Sequence, residues 1–292
     1  MDDNLLSEHL AQMQWEFPFA CFFDIGKSIF GRQLHMVRLG KGHRTVFINA
    51  AHHGSEWMTS MQLLNFCNAF CQAAEDGLSL FGYNCRLILK KYTLFLMPMV
   101  NPDGVCLAVN GLSKESFFYE RILSMNGGST DFTHWQANGR GVDLNHNYDA
   151  GFYIAKELEP SYGVTAPCPS RYGGSFPESE PEVAAICDFV RKNGIDVAVA
   201  LHSQGEEIYY DYCGHIPRGA RKYAHAMASA SGYTLSKPDG IASYSGFKDW
   251  FIDKFDRPAF TIEIGLGQNP LPLCDFGSIY RKLVPMLLSL CP

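Results

Sequence analysis

The 292-residue chain holds ten cysteines, yet no two of them are spaced as a C-x-x-C pair. That absence excludes the common four-thiolate zinc frameworks and the thioredoxin-type redox pair. Cys67 and Cys71 stand one helical turn apart, but no second pair completes a metal set with them. The scattered thiols are therefore expected to be reduced and, for the most part, buried as small hydrophobes. No run of about 18 apolar residues occurs, so no membrane-crossing helix is expected. The first residues, MDDNLLSEHLAQMQWEF, are acidic and amphipathic and lack the basic start and apolar core of a secretory signal. The expected compartment is a reducing cytoplasm, with an exported protein whose signal has been trimmed as the alternative. Positive charge is not in excess either. A net charge of −6 leaves no electrostatic footprint for nucleic acid or an anionic membrane. Internal repeats and low-complexity tracts are missing. The tetrapeptide IGKS at 25–28 ends like a phosphate loop, but the position five before Gly26 is Cys21 rather than glycine.

What is present is apolar chain in short blocks. Hydrophobic residues make up 47% and charged residues 18%, enough core for one domain. Residues 34–40, 45–50, 92–100, 197–202 and 259–265 read as strands, continuous rather than alternating in polarity. Helical patterns lie between them at 57–73, 180–192, 217–230, 246–254 and 278–290. Buried strands interleaved with helices indicate an α/β sheet covered on both faces. The acidic stretch ESEPE suits a helix N-terminus with Pro181 in the first turn. Asn101-Pro102-Asp103-Gly104 reads as a turn at a strand end.

Polar chemistry collects where these strands stop. The strand over 45–50 runs straight into His52, His53 and Glu56, and Gly54 permits a sharp turn that brings an imidazole and a carboxylate together. Spacing alone leaves both His52 and His53 eligible. The run VAVALH repeats the logic by ending on His202. Two histidines and one carboxylate with an open position make a catalytic rather than a structural zinc set. Against this stands the plainer reading of ordinary polar residues at strand ends. Glu263, flanked by Ile262 and Ile264, is a carboxylate in an apolar strand end; it serves either as a general base beside a metal or in an inward-facing salt bridge. Asp143 and Asn145 share a face on an extended segment, which makes Asp143 a candidate support for the site.

Seven stretches in order resemble the zinc carboxypeptidase (carboxypeptidase A-like) metallopeptidases. They are GKSIFGRQL, HGSE, VNPDGV, GVDLNHNYDAGF, RYGGSFPESEPE, LHS and FTIEIG. The resemblance implies that His53 and Glu56, rather than His52, join His202 as ligands of one zinc ion, with Glu263 as the general base. It implies a single α/β domain over 1–292, with 1–20 as an N-terminal helical extension and a central mixed, mostly parallel twisted sheet flanked by helices.

The departures shape the expected substrate. Asn145-His146 stands where carboxypeptidases carry Asn-Arg, and a histidine cannot form the planar fork that grips a terminal carboxylate. Ser55 stands where digestive members carry another arginine. Counting back from Glu263 puts no tyrosine in register with the family's closing tyrosine; Tyr244, on a Gly/Ser-containing loop, is nearest. Arg140 is nearest to the arginine that polarises the scissile carbonyl. Asn145, His146, Ser203 and Tyr244 are the expected substrate contacts. HHGSEW, WQANGRGVDLN and FTIEIGLGQNPLPL look like the bacterial branch that cuts γ-D-glutamyl–diamino acid bonds in peptidoglycan stem peptides. The expectation is a zinc-dependent peptidase acting on a murein stem peptide. The alternatives are a carboxypeptidase, an N-acyl amino acid amidohydrolase and a non-catalytic peptidoglycan-binding module.

Overall fold

The computed structural model describes residues 1–292. All five apolar runs form strands of one sheet. In chain order the strands are β1 (Cys21–Lys27), β2 (Gln33–Leu39), β3 (Arg44–Ala50), β4 (Ser79–Leu80), β5 (Tyr83–Asn84), β6 (Tyr92–Met97), β7 (Val197–His202), β8 (Glu207–Tyr209), β9 (Thr234–Ser236) and β10 (Ala259–Glu263). The helices are α1 (Asp3–Glu16), α2 (Trp57–Asp76), α3 (Cys85–Lys91), α4 (Pro102–Asn110), α5 (Tyr119–Met125), α6 (Phe152–Leu158), α7 (Pro181–Asn193), α8 (Ala220–Ser231), α9 (Phe247–Phe255) and α10 (Phe276–Leu288).

Eight strands make a mixed sheet in the order β1-β2-β6-β3-β7-β10-β8-β9, and β4-β5 is a separate hairpin. Its centre, β6-β3-β7-β10, is parallel, while β1-β2, β2-β6 and β10-β8 are antiparallel. Strand residues alternate between two cores, as the two-residue period requires. Val46, Ile48, Val197, Val199 and Leu201 join α1, α2, α8 and α10 on one face. Phe47, Phe95, Ala198 and Ala200 meet α7 and α9 on the other. The sheet is thus covered on both sides, which explains strands without polar alternation. Leu6, Leu10 and Met13 of α1 lie in the first of these cores.

Two expectations need correction. The strand expected over 92–100 stops at Met97, because Pro98 has no N–H to continue the ladder. The expected turn at Asn101–Gly104 is the start of α4: the Asn101 side chain caps it by accepting from Gly104 N at 2.8 Å. All ten cysteines are free thiols, and no helix is long and apolar enough to cross a membrane.

Candidate metal centre

The C-terminal ends of the parallel strands face one edge, where crevices form in open α/β sheets. At the end of β3 the chain leaves the sheet through Ala51, whose φ is +55°, and Ala51 N donates to Thr59 Oγ1 at 2.9 Å. A 3-10 turn over Gly54–Glu56 follows, with His53 at its N-cap. Gly54 is obligatory for lack of room: a Cβ there would stand 2.3 Å from Gly104 O and 2.8 Å from Trp135 O. Asn101 locks the same corner by donating through Nδ2 to the carbonyls of His52, Gln136 and Ala137. Glu56 therefore arrives at the N-terminus of α2, where the helix dipole favours a carboxylate.

His202 ends β7 and meets Glu56 from the neighbouring strand. His53 Nδ1 lies 2.7 Å from Glu56 Oε1, and His202 Nδ1 lies 3.0 Å from Glu56 Oε2. One ligand atom from each of the three residues falls within 4.8 Å of the others. His53 Nε2 is 3.1 Å from Asp143 Oδ1, a carboxylate that would hold a proton on Nε2 and leave Nδ1 to a bound ion. Asp143 is itself fixed by Asn145 N at 3.1 Å and Arg171 N at 2.8 Å.

The electrostatics favour a cation. Burial works against charge on Glu56, but His53 and His202 hold its carboxyl down to about 2. Burial likewise opposes charge on His53, and the Glu56 and Asp143 carboxylates outweigh it, raising the imidazole well above its ordinary range. Two carboxylates, those of Glu56 and Asp143, lie against the imidazoles, and a divalent ion suits that set. The donor set thus fits zinc.

Glu263 ends β10 directly opposite His202 in the parallel ladder and opposite Glu207 in the antiparallel one. It is partly open to solvent. Burial first, then the charges of Glu56 and Glu207, with His53 opposing, push its carboxyl well above the usual range.

The other expected residues divide. His52 is outside the cluster: its buried ring stacks on His202, and its Nε2 lies 2.9 Å from Tyr148 OH. Asn145 lies at the edge, with its Oδ1 accepting from Phe247 N at 3.0 Å. His146 is buried, and its Nδ1 has no hydrogen-bond partner. The side chain of Ser203 is committed elsewhere than to a substrate: its Oγ donates to Asn269 Oδ1 at 2.7 Å, while its backbone N donates to Glu56 Oε2 at 3.2 Å. Tyr244 follows the 3-10 turn Gly240–Ser243, and its ring rests beside Gly151 rather than in the ligand cluster. Arg140 has a partner of its own. Its guanidinium is paired with buried Glu180 at 3.0 Å. Glu180 lies forty positions along the chain, a partner that local spacing does not reveal.

Two contributors were missed. Asn269 donates through Nδ2 to Ser203 O at 2.7 Å and reaches Glu56 Oε1 at 3.5 Å; the turn-like Gln268-Asn269-Pro270 was its only signal. Arg171 heads the stretch RYGGSFPESEPE, but nothing in that string says that its backbone holds Asp143.

The sequence profile of the zinc carboxypeptidase family matches residues 6–276. The chain belongs to that family. Gamma-D-glutamyl-L-diamino acid endopeptidase 1 of Lysinibacillus sphaericus is 32% identical over 288 residues, covering 99% of this chain and 71% of that protein. Carboxypeptidase B of Bos taurus is 26% identical over 262 residues, covering 82% of this chain and 56% of that protein. Among solved structures, bovine thrombin-activatable fibrinolysis inhibitor aligns with a TM-score of 0.77 at 19% identity, over 100% of this chain and 96% of that one. Murein-tripeptide amidase from Escherichia coli O157 aligns with a TM-score of 0.60 at 20% identity, over 93% and 92%. These structures share the fold. Together with the family match, the named peptidase relatives make this chain a zinc metallopeptidase, a hydrolase of peptide bonds.

Proposed function

We propose that this peptidase hydrolyses the amide bond between γ-D-glutamate and a diamino acid in peptidoglycan stem peptides. The observation that carries the substrate is the 32% identity over nearly the whole chain with an endopeptidase named for that bond. His146 adds to it, because a buried imidazole does not make the bidentate grip on a C-terminal carboxylate that a carboxypeptidase needs.

His53, Glu56 and His202 would hold one zinc ion, which when bound supplies Lewis-acid polarisation of the scissile carbonyl. Asp143 keeps the His53 ring in one orientation through Nε2. Glu263 takes the proton of the attacking water on its carboxylate and passes it to the leaving amino nitrogen as the C–N bond breaks. Its raised affinity for a proton suits both halves of that transfer. The family's carbonyl-polarising arginine has no counterpart in Arg140, which stays with Glu180. Glu207 beside Glu263 gives this end of the sheet an acidic lining.

Mass spectrometry of products from the zinc-loaded protein and L-Ala-γ-D-Glu-diaminopimelate-D-Ala tests the proposal. L-Ala-D-Glu together with diaminopimelate-D-Ala is the expected result. Release of D-Ala alone would replace the endopeptidase with a carboxypeptidase, and an intact peptide would move the search to other acyl amides.

A further inference from the structure

The structure assigns to Arg171 the recognition of a substrate carboxylate beside the scissile bond, an inference that rests on the peptidase reading above. Arg171 N donates to Asp143 Oδ2 at 2.8 Å, and the other oxygen of that carboxylate lies against His53 Nε2. The Arg171 backbone is therefore one carboxylate removed from a metal ligand. Its φ is +65°, a left-handed conformation uncommon for a residue with a Cβ and typical of positions that the surrounding structure imposes.

The side chain is exposed and makes no ion pair, unlike Arg140, which is bound to Glu180, and Arg32, which is bound to Asp3 and Asp103. Its guanidinium carbon stands 5.5 Å from the centre of the Tyr162 ring. Tyr162 OH in turn accepts from Ile241 N at 3.3 Å, on the loop that carries Tyr244 toward Gly246 and Asn145. Arg171 thus bridges the layer that holds the metal ligands and the loop beside Asn145. Stacking on one face of a guanidinium leaves its in-plane N–H groups free for a carboxylate.

His146 supplies the second observation. It is buried, and its Nδ1 has no partner in the protein. The Arg171 charge reaches it: burial first, and then the positive charges of His53 and Arg171, hold the imidazole below its ordinary range against Asp143 and Glu159. Arg171 thus places a fixed positive charge near a buried imidazole whose Nδ1 is free of protein partners.

The carboxylate has two possible sources in a γ-D-glutamyl–diaminopimelate peptide: the α-carboxylate of D-Glu, or a carboxylate of the diamino acid. The test measures kcat/KM of zinc-loaded wild type, Arg171→Asn and Arg171→Lys. Asn suits the left-handed backbone, and Lys keeps the charge without the fork. The substrates are L-Ala-γ-D-Glu-diaminopimelate, its analogue with D-isoglutamine in place of D-Glu, its analogue amidated on diaminopimelate, and the peptide amidated at both places. R171N is expected to lose about a hundredfold on the parent peptide, chiefly through KM, with R171K in between. The loss vanishes on the analogue that lacks the recognised carboxylate, which identifies its source. A loss of equal size on all four peptides, or no loss on the parent, overturns the assignment. Should wild type leave every peptide intact, the functional reading fails by itself. Calorimetric titration of zinc-loaded wild type and R171N with diaminopimelate and with D-glutamate then tests Arg171 separately. Weaker binding of one of them by R171N upholds the assignment, and equal or undetectable binding by the two proteins overturns it.

Discussion

Glu263 and His202 are direct partners across the parallel β7–β10 ladder, so one register sets the proposed general base beside a proposed metal ligand. Neither residue needs a loop to find its place. Glu263→Gln keeps the shape and removes the proton acceptor. Turnover of the stem peptide should fall by about a thousandfold. Zinc content, measured by atomic absorption, should stay at one ion per chain. Retained activity with zinc present would sink the assigned role of Glu263.

In the proposed centre Asp143 would act on the ion through His53. One oxygen lies 3.1 Å from the ring's Nε2, while backbone N–H groups of Asn145 and Arg171 hold the carboxylate still. Asp143→Ala should weaken zinc affinity by roughly tenfold to a hundredfold, read by competition with a chromophoric chelator. At saturating zinc, part of the activity should return. An unchanged affinity would mean that His53 is oriented by its ring packing on His202 alone.

These residues also show how far the chain could be read unaided. His53, Glu56, His202 and Glu263 stood out because each follows or interrupts an apolar run, and burial in a two-sided sheet makes such runs continuous. The central strands were legible for the same reason. β8 and β9 were not, being three residues each and only partly buried. Contacts distant in sequence were invisible as well. Asn269 reaches Glu56 across 213 positions, and Arg140 was assigned to the chemistry because its true partner, Glu180, is not local. Ser203 is an expected substrate contact, yet its hydroxyl donates to Asn269, another partner distant in sequence.

Gly54 is where backbone space, rather than any side chain, protects the centre. A Cβ would press on two carbonyl oxygens, those of Gly104 and Trp135, and neither is the end of a flexible side chain. Gly54→Ala must push α4 or the segment around Trp135 away from the turn that carries Glu56. Overpacking of this kind typically costs about 1–3 kcal/mol, and rigid backbone partners place this site at the upper end. The expected result is a lower Tm together with weaker zinc retention. An alanine variant with wild-type Tm and zinc affinity would show that the corner yields freely.

Glu182 links the fold to pH from outside the metal centre. It is fully buried; Ile29 N donates to its Oε1 at 3.0 Å, and Asn138 Nδ2 lies 3.4 Å from its Oε2. Burial is the main cause that lifts its carboxyl from 4.5 to about 7, with Asp103 and Glu180 adding like charge and backbone N–H groups opposing. Between those two values the folded chain holds a proton that the unfolded chain has released. Stability must therefore fall as pH rises through that window and level off above it. A shift of that size corresponds to about 3 kcal/mol. Glu182→Gln retains an acceptor for Ile29 N and cannot ionise. The difference in unfolding free energy between variant and wild type, from urea titrations at pH 5 and pH 8, should move in the variant's favour by about that amount. A difference independent of pH would show that Glu182 ionises in the fold as readily as in the unfolded chain.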